Sequence, residues 1–127
     1  MGVEWSDEER RQVEEAIQRF PVSSGMCAAL ARVVSKVGLI RDTQTRGRHV
    51  SPARHTAARF VVPKLPHPPL WASHTFVETH AHSVDALTGA EGCVAGDYLT
   101  SFWEYPDALE VRTVDVDTVD PGIQEDG

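Results

Sequence analysis

Three residues of this chain have the types and the order that nucleophilic catalysis by a thiol requires. Cys27 is followed 47 residues later by His74, and Asp85 lies eleven residues beyond the histidine. A thiol attacks as its thiolate, so a base must take its proton and a third group must hold that base in the correct tautomer. The residue types and their order therefore indicate a Cys-His-Asp triad, if the surrounding elements bring the three side chains together.

The N-terminal segment, residues 1–20, is predicted to contain one amphipathic helix. Ser6 and Glu9 have the spacing of a capping box, in which each side chain accepts a hydrogen bond from the other residue's backbone amide. The apolar pattern that follows predicts a helix over residues 7–19, and Pro21 ends it.

A second helix is predicted over residues 25–37, with Ser23 or Ser24 as its N-cap. Cys27 lies in its first turn, near the positive end of the helix dipole, where a thiolate is favoured. Gly38 stands where a left-handed C-cap is expected. The helix pattern thus supports an activated Cys27.

Residues 41–72 are predicted to be a long connection, because they contain five of the eight prolines. Proline is excluded from helix interiors and central strands, so only a short helix at residues 52–59 and a short strand at residues 60–62 are predicted within it. A connection of this length in a small domain is usually functional or mobile.

Residues 74–77 and 82–87 are predicted to form two strands of a hairpin. With a two-residue turn at residues 79–80, His74 lies directly opposite Asp85, where an imidazole and a carboxylate can form a hydrogen bond. A four-residue loop leaves the two side chains diagonal on one face, whereas a three-residue loop places them on opposite faces. The turn residues do not decide between these registers.

The rest of the pattern completes an α+β fold. Residues 98–103 are predicted to be a strand or a short helix, residues 109–116 a strand, and residues 117–127 a flexible tail. The fold class predicted for the single domain of residues 1–127 is α+β, with N-terminal helices packed on a small antiparallel sheet.

Three short stretches match a known pattern. Residues 25–29, Gly-Met-Cys-Ala-Ala, are similar to the Gly-x-Cys-x-Ala start of the nucleophile helix in the papain-like cysteine hydrolase superfamily. Residues 74–78, His-Thr-Phe-Val-Glu, and residues 84–89, Val-Asp-Ala-Leu-Thr-Gly, resemble the paired strands of small bacterial papain-fold toxins and deamidases. The resemblance covers roughly residues 20–105 and implies a papain-like fold.

The resemblance also implies a mechanism. Cys27 would be the nucleophile, His74 the general base and then the general acid, and Asp85 the orienting residue, with the Cys27 N–H as one oxyanion-hole donor. The implied activity is hydrolysis of an amide, either deamidation or proteolysis, in a bacterial toxin-type effector domain. The implied partners are a protein or peptide substrate and an inhibitory (immunity) protein.

The sequence departs from the papain-like pattern at the second oxyanion-hole donor. Papain-like proteases place a glutamine about six residues before the nucleophile, and this chain has Pro21 there. Ser23, Ser24 and Gln18 are the candidates to replace it. Trp71 is a candidate either to shield the His–Asp hydrogen bond from water or to line the substrate groove.

Two other interpretations stay open. The domain could be a binding or interaction module of the same fold that is catalytically idle because its oxyanion hole is incomplete, with Cys27 as a buried core residue. A histidine-rich metal site is the rival chemistry, since His74, His80 and His82 share strand parity with Glu78. However, His80 lies in the proposed turn and no metal motif is present, so neither a metal nor a cofactor is predicted.

Composition limits the partners and the location. The net charge is −7, which argues against nucleic acid as the main partner. The basic residues between Arg41 and Lys64 are expected to face the acidic C-terminal half of the chain itself. No stretch approaches the roughly 20 apolar residues that span a membrane.

Two cysteines are too few for a disulfide framework, and free thiols are favoured over a Cys27–Cys93 bridge. The expected location is therefore the cytoplasm, or delivery within a secreted effector without a signal peptide of its own.

Overall fold

The computed structural model describes residues 2–119. Within them, three α-helices accompany a sheet of five strands, which confirms the predicted α+β class. The helices are α1 (Asp7–Arg19), α2 (Cys27–Leu39) and α3 (Tyr98–Phe102), and the strands are β1 (Arg46–Pro52), β2 (His74–Thr79), β3 (His82–Val84), β4 (Cys93–Val94) and β5 (Leu109–Val114). The strand order is β4-β3-β2-β1-β5, and every neighbouring pair is antiparallel.

Helix α1 has the predicted bounds and the predicted cap. The Glu9 N–H donates to the Ser6 hydroxyl at 3.1 Å, and the Ser6 N–H donates to the Glu9 carboxylate at 2.9 Å. Both members of the capping box are therefore formed. The helix ends at Phe20, immediately before Pro21.

Helix α2 extends one residue beyond Gly38, so the predicted left-handed C-cap at this glycine is wrong. Gly38 lies inside the helix, and a β-carbon there would come within 2.4 Å of the Thr79 hydroxyl and 3.0 Å of the Thr45 hydroxyl. The two hydroxyls are hydrogen-bonded to each other at 2.6 Å. The glycine is needed because it lets α2 approach the end of β2, not because it ends the helix.

Strand β1 lies inside the predicted connection of residues 41–72 and was not expected there. It is central, pairing with β2 on one side and β5 on the other. The predicted helix at residues 52–59 does not form, because its residues beyond Ala53 are mostly exposed and offer no apolar face to bury. The predicted strand at residues 60–62 is reduced to a bridge between Val61 and Trp71.

The hairpin of β2 and β3 turns one residue later than predicted, at His80 and Ala81. Both residues have positive φ, 51° and 64°, as the two central residues of a type I′ turn require. Val77 pairs with Val84, so His74 and Asp85 are diagonal rather than directly opposite. The turn has two residues, but the pairing of the strands is the one expected for a four-residue loop. It keeps the His74 and Asp85 side chains on the same face.

Two apolar clusters lie against the sheet. One is formed mainly by helices α1 and α2 with Val77 of β2 and Val84 of β3. The other is largely aromatic and contains Phe76, Tyr98, Trp103 and Trp71, and the partly buried Leu109 and Val111 of β5 pack against it. His74 stacks near the aromatic cluster, on the same face of β2 as Phe76.

Three of the basic residues between Arg41 and Lys64 pair with acids of the C-terminal half, as predicted, whereas Arg41 pairs with Glu9 of α1. The four ion pairs are Arg41–Glu9, Arg46–Glu78, Arg48–Glu78 and Arg54–Glu110. The last pair is long, at 3.9 Å, and its arginine is almost fully exposed. Pairs of this exposure contribute little to stability, but they account for the clustering of positive charge.

Within residues 2–119, no helix has the length and apolar character needed to cross a membrane. Most of the predicted tail, residues 120–127, lies outside the described residues. The part that is described is held by Arg32, whose guanidinium donates to the carbonyls of Val116 and Val119 at 2.9 and 3.0 Å.

We expect Gly38→Ala to destabilise the protein by about 1–3 kcal/mol, because the added methyl group overpacks the contact between α2 and β2. Gly96→Ala is the matched control, since a β-carbon at Gly96 meets no atom within 4 Å. Urea denaturation of both variants measures the difference. Equal stability of the two variants would contradict the close approach described for Gly38.

Candidate active site

The structure brings Cys27, His74 and Asp85 together at one end of the sheet. Cys27 is the first residue of α2, His74 is the first residue of β2, and Asp85 follows the last residue of β3. His74 Nε2–H donates to Asp85 Oδ2 at 2.8 Å. The Cys27 sulfur accepts a hydrogen bond from the backbone N–H of Thr75 at 3.4 Å, which fixes the start of the helix beside the start of the strand.

Asp85 is held by a tight turn that ends at Gly89. The Thr88 N–H donates to Asp85 Oδ1 at 2.9 Å, and the Asp85 N–H donates to the Thr88 hydroxyl at 3.0 Å. Gly89, with a φ of 75°, closes the turn through its N–H to the Asp85 carbonyl. This reciprocal pairing occupies Oδ1 and leaves Oδ2 directed at His74.

Tyr98 is a fourth member of the cluster that the sequence analysis did not identify. Its hydroxyl donates to Asp85 Oδ2, the same oxygen that accepts from His74. Asp85 is 2% exposed, and an ionised carboxylate at that depth requires several donors. The Asp85 carboxylate has three donors, which come from the turn after β3, from β2 and from α3.

Electrostatics favour a thiolate–imidazolium pair at this site. Burial opposes the charged form of His74, but hydrogen bonds with Asp85 and Cys27 outweigh it and raise the pKa of His74 to about 9. Burial likewise opposes the Cys27 thiolate, yet the hydrogen bond and charge of His74 leave the pKa of that thiol lowered. Because His74 Nε2–H donates to Asp85, Nδ1 is the ring nitrogen left to interact with the Cys27 thiol.

Aromatic side chains enclose the imidazole, which is 3% exposed. Trp71 stacks on His74 with ring centroids 5.3 Å apart and planes inclined by 10°. Trp103 packs on His74 at 5.3 Å and is itself fully buried. Shielding of this kind lowers the local dielectric and strengthens the His74–Asp85 hydrogen bond.

Two cavities adjoin the site. A narrow crevice of about 10 Å³ contains Cys27 and His74 in its lining. Beside it lies an open groove of about 700 Å³, between the loop of residues 21–25 and the segment of residues 65–71. Four residues line both cavities and so form the wall between them: Pro21, Val22, Trp71 and Ala86. Trp71 therefore has both of the positions proposed for it.

The second oxyanion-hole donor is not evident among the predicted candidates. Ser24 is engaged locally, donating to the Pro21 carbonyl at 2.6 Å and accepting from the Met26 N–H at 3.2 Å. Gln18 is exposed on α1 and lines neither cavity. Ser23 is exposed and lines the groove. The N-cap of α2 is Met26 and has no side-chain cap, so the predicted N-cap at Ser23 or Ser24 is wrong, and the first-turn amides of the helix are left as backbone donors.

The remaining histidines do not converge. Among residues 2–119, no three His, Cys, Asp or Glu side chains are placed to hold a metal ion. His82 Nδ1–H donates within its own turn to the His80 carbonyl at 2.7 Å. His49 is buried beside Thr75, and its pKa is lowered to about 4 by burial and by the charges of Arg112 and His74.

Both cysteines are free thiols, and their environments differ. Burial and the negative charge of Asp97 raise the pKa of Cys93, whereas that of Cys27 is lowered. The chain therefore carries its own reference thiol.

We expect Cys27 to react with iodoacetamide at pH 6, where an ordinary thiol is almost wholly protonated, and Cys93 to react only at alkaline pH. Replacing His74 with glutamine removes the positive charge while filling the space, so the labelling pKa of Cys27 should rise. Mass spectrometry of peptides labelled between pH 5 and pH 10 gives both profiles in one sample. Equal profiles for Cys27 and Cys93 in the wild-type protein would exclude the ion pair.

No protein-family model, curated protein or solved structure matches this chain. What can be said of function depends on the geometry of Cys27, His74, Asp85 and the residues that hold them.

Proposed function

We propose that the protein is a thiol-dependent amide hydrolase of papain-like architecture, with Cys27, His74 and Asp85 as its catalytic triad. The observation that carries the proposal is the buried His74–Asp85 hydrogen bond beside a thiol whose pKa is lowered. Residues that serve only the core do not need an ionised carboxylate and an imidazole buried together beside a thiol. Strongly shifted pKa values of this kind concentrate at functional sites.

The papain-like part of the proposal is supported by the elements that carry the triad. The nucleophile lies in the first turn of α2, and the base is the first residue of β2. The orienting residue directly follows β3. These placements agree with the resemblance of residues 25–29, 74–78 and 84–89. The proline at position 21 is the departure, and it removes the side-chain amide that papain-like proteases use.

In the first half of the reaction, the Cys27 thiolate attacks the carbonyl carbon of the amide. The negative charge that develops on oxygen is stabilised by backbone amides at the start of α2. His74 Nδ1–H then gives its proton to the leaving nitrogen, the carbon–nitrogen bond breaks, and ammonia or an amine departs. The acyl group remains on sulfur as a thioester.

In the second half, neutral His74 takes a proton from a water molecule as the water oxygen attacks the thioester. The carbon–sulfur bond breaks, the acid product leaves, and the thiolate and imidazolium are restored. Asp85 stays ionised throughout and holds the ring in the tautomer that presents Nδ1 to the reaction.

The cavities support a protein or peptide substrate with a slender target group. The groove, at about 700 Å³, has the size of a site for a ligand of several residues, and its single titratable lining residue is His67. The crevice at Cys27 is about 10 Å³, too small for a main chain to pass. A glutamine side chain reaching in from a peptide in the groove fits this arrangement better than a backbone amide, so deamidation is the favoured reaction.

The narrow crevice and the missing glutamine also favour a second candidate function. A papain-like module that binds a peptide in the groove without cleaving any amide would retain the fold and the apolar groove. The two candidates differ in the reactivity of Cys27 and in turnover. The resemblance further extends the first candidate to a toxin-type effector that an inhibitory protein restrains.

We expect the protein to convert glutamine to glutamate in a library of uncharged peptides, with release of ammonia. Cys27→Ser should reduce the rate by at least about a thousandfold, because a hydroxyl at this position remains protonated. Mass spectrometry distinguishes deamidated from cleaved peptides, and Cys93→Ser is the matched control. Turnover unaffected by Cys27→Ser would exclude the thiol mechanism. A Cys27 that labels no faster than Cys93, together with no turnover, would favour the binding module.

We also expect Leu65→Glu to reduce kcat/KM for such peptides by about tenfold or more, because it introduces a charge into the apolar groove. Leu65 lines the groove, whereas Leu39, at the end of α2, is exposed away from it and lines neither cavity. Leu39→Glu is therefore the matched control. An equal effect of the two substitutions on kcat/KM would remove the groove from the substrate site.

A further inference from the structure

We infer that Tyr98 is a positioning residue that acts through Asp85 to limit how tightly His74 holds its proton. The inference needs the proposed function only for its catalytic consequence, since the hydrogen-bond arrangement can be tested on the protein alone.

The geometry that carries the inference is the sharing of one carboxylate oxygen. Asp85 Oδ2 accepts from both His74 Nε2–H and the Tyr98 hydroxyl, while Oδ1 accepts from the Thr88 N–H. Because Oδ1 is held, the carboxylate cannot rotate to give each donor its own oxygen. Two donors on one oxygen share its negative charge, so each weakens the bond of the other.

Packing of its ring holds the Tyr98 side chain in place. The side chain is 1% exposed, its ring centroid lies 4.4 Å from that of Phe76, and it meets Trp103 edge to face at 6.3 Å. The hydroxyl remains a neutral donor, because burial and the charge of Asp85 raise the pKa of Tyr98 well above its ordinary value. It therefore stabilises the Asp85 carboxylate without adding a charge to the site.

This arrangement has a consequence for the proposed reaction. An imidazolium held too strongly by Asp85 cannot pass its proton to the leaving nitrogen, and one held too weakly cannot keep Cys27 as a thiolate. Tyr98 lowers the basicity of the carboxylate and so keeps His74 able to act as an acid. The same hydroxyl also satisfies the buried charge of Asp85.

The test is Tyr98→Phe, which removes the hydroxyl and keeps the ring. The titration of the His74 imidazole is followed by ¹⁵N NMR, with the His74→Gln variant identifying its signals. We expect the pKa of His74 to rise by about half a unit to one unit, which corresponds to the loss of one competing hydrogen bond. Tyr105→Phe is the matched control, because Tyr105 is 74% exposed, and it should leave the titration unchanged.

Two further measurements test whether Tyr98 acts through Asp85 and whether a stronger donor at residue 98 lowers the pKa of His74. In an Asp85→Asn background, Tyr98→Phe should no longer change the His74 titration, since the carboxylate that couples the two residues is gone. The chain has two tyrosines, so fluorotyrosine incorporated into the Tyr105→Phe variant labels Tyr98 alone. The more acidic fluorophenol is a stronger donor and should lower the pKa of His74. This measurement keeps every packing contact and does not depend on the stability of Tyr98→Phe.

An unchanged or lowered His74 pKa in Tyr98→Phe overturns the inference, as does an equal rise in the Asp85→Asn background. These outcomes are separate from the failure of the proposed function. The titration reports on the imidazole without substrate, so the inference can hold in a protein that turns over no amide. Conversely, it can fail in a protein for which deamidation is established.

Discussion

The buried carboxylate of Asp85 is the constraint on which the site depends. An ionised group at this depth costs several kcal/mol unless donors surround it, and the donors come from three separate parts of the chain. His74 comes from β2, Thr88 from the turn after β3, and Tyr98 from α3. Folding must therefore bring these three parts together to satisfy the charge.

The same interaction links protonation to stability. The pKa of His74 is about 9 in the folded protein and about 6.5 in an unfolded chain. Its stabilising contribution is therefore complete below pH 6.5 and is lost as the pH rises through 9. Over neutral pH, the range in which a thiolate–imidazolium pair is useful, the charged form of the histidine is also the form that stabilises the fold.

Sequence reasoning succeeded where the information was local. The capping box of α1 and its apolar period depend on residues within one helix, and its bounds were predicted correctly. Strand β1 was missed because Arg46, Arg48 and His49 do not give an apolar alternation. His49 is buried only through its partner Thr75 on the neighbouring strand. The turn residues did not decide the hairpin register, and the turn lies at His80 and Ala81, whose positive φ values are uncommon for residues other than glycine.

The triad could be proposed from three residue types in order, whereas Tyr98 could not. Nothing near residue 98 indicates that its hydroxyl reaches residue 85, since α3 has only five residues and no apolar repeat. The approach of α2 to β2 was equally hidden, because Gly38 has the local signature of a helix end. Its role in the close packing of α2 against β2 depends on Thr79, which is distant in the sequence and adjacent only in the folded protein.

The narrowness of the crevice follows from the way the ion pair is protected. A thiol with a lowered pKa is easily oxidised when it is exposed, and water at an imidazolium weakens its bond to a carboxylate. Trp71 covers His74, and the wall of Pro21, Val22, Trp71 and Ala86 separates both reactive groups from the groove. In the proposed reaction, a substrate would displace part of this wall, and only a ligand that already binds the groove would have the binding energy to do so. Under the proposed function, the protection of the thiol and the selection of a peptide-borne amide are therefore two results of the same wall.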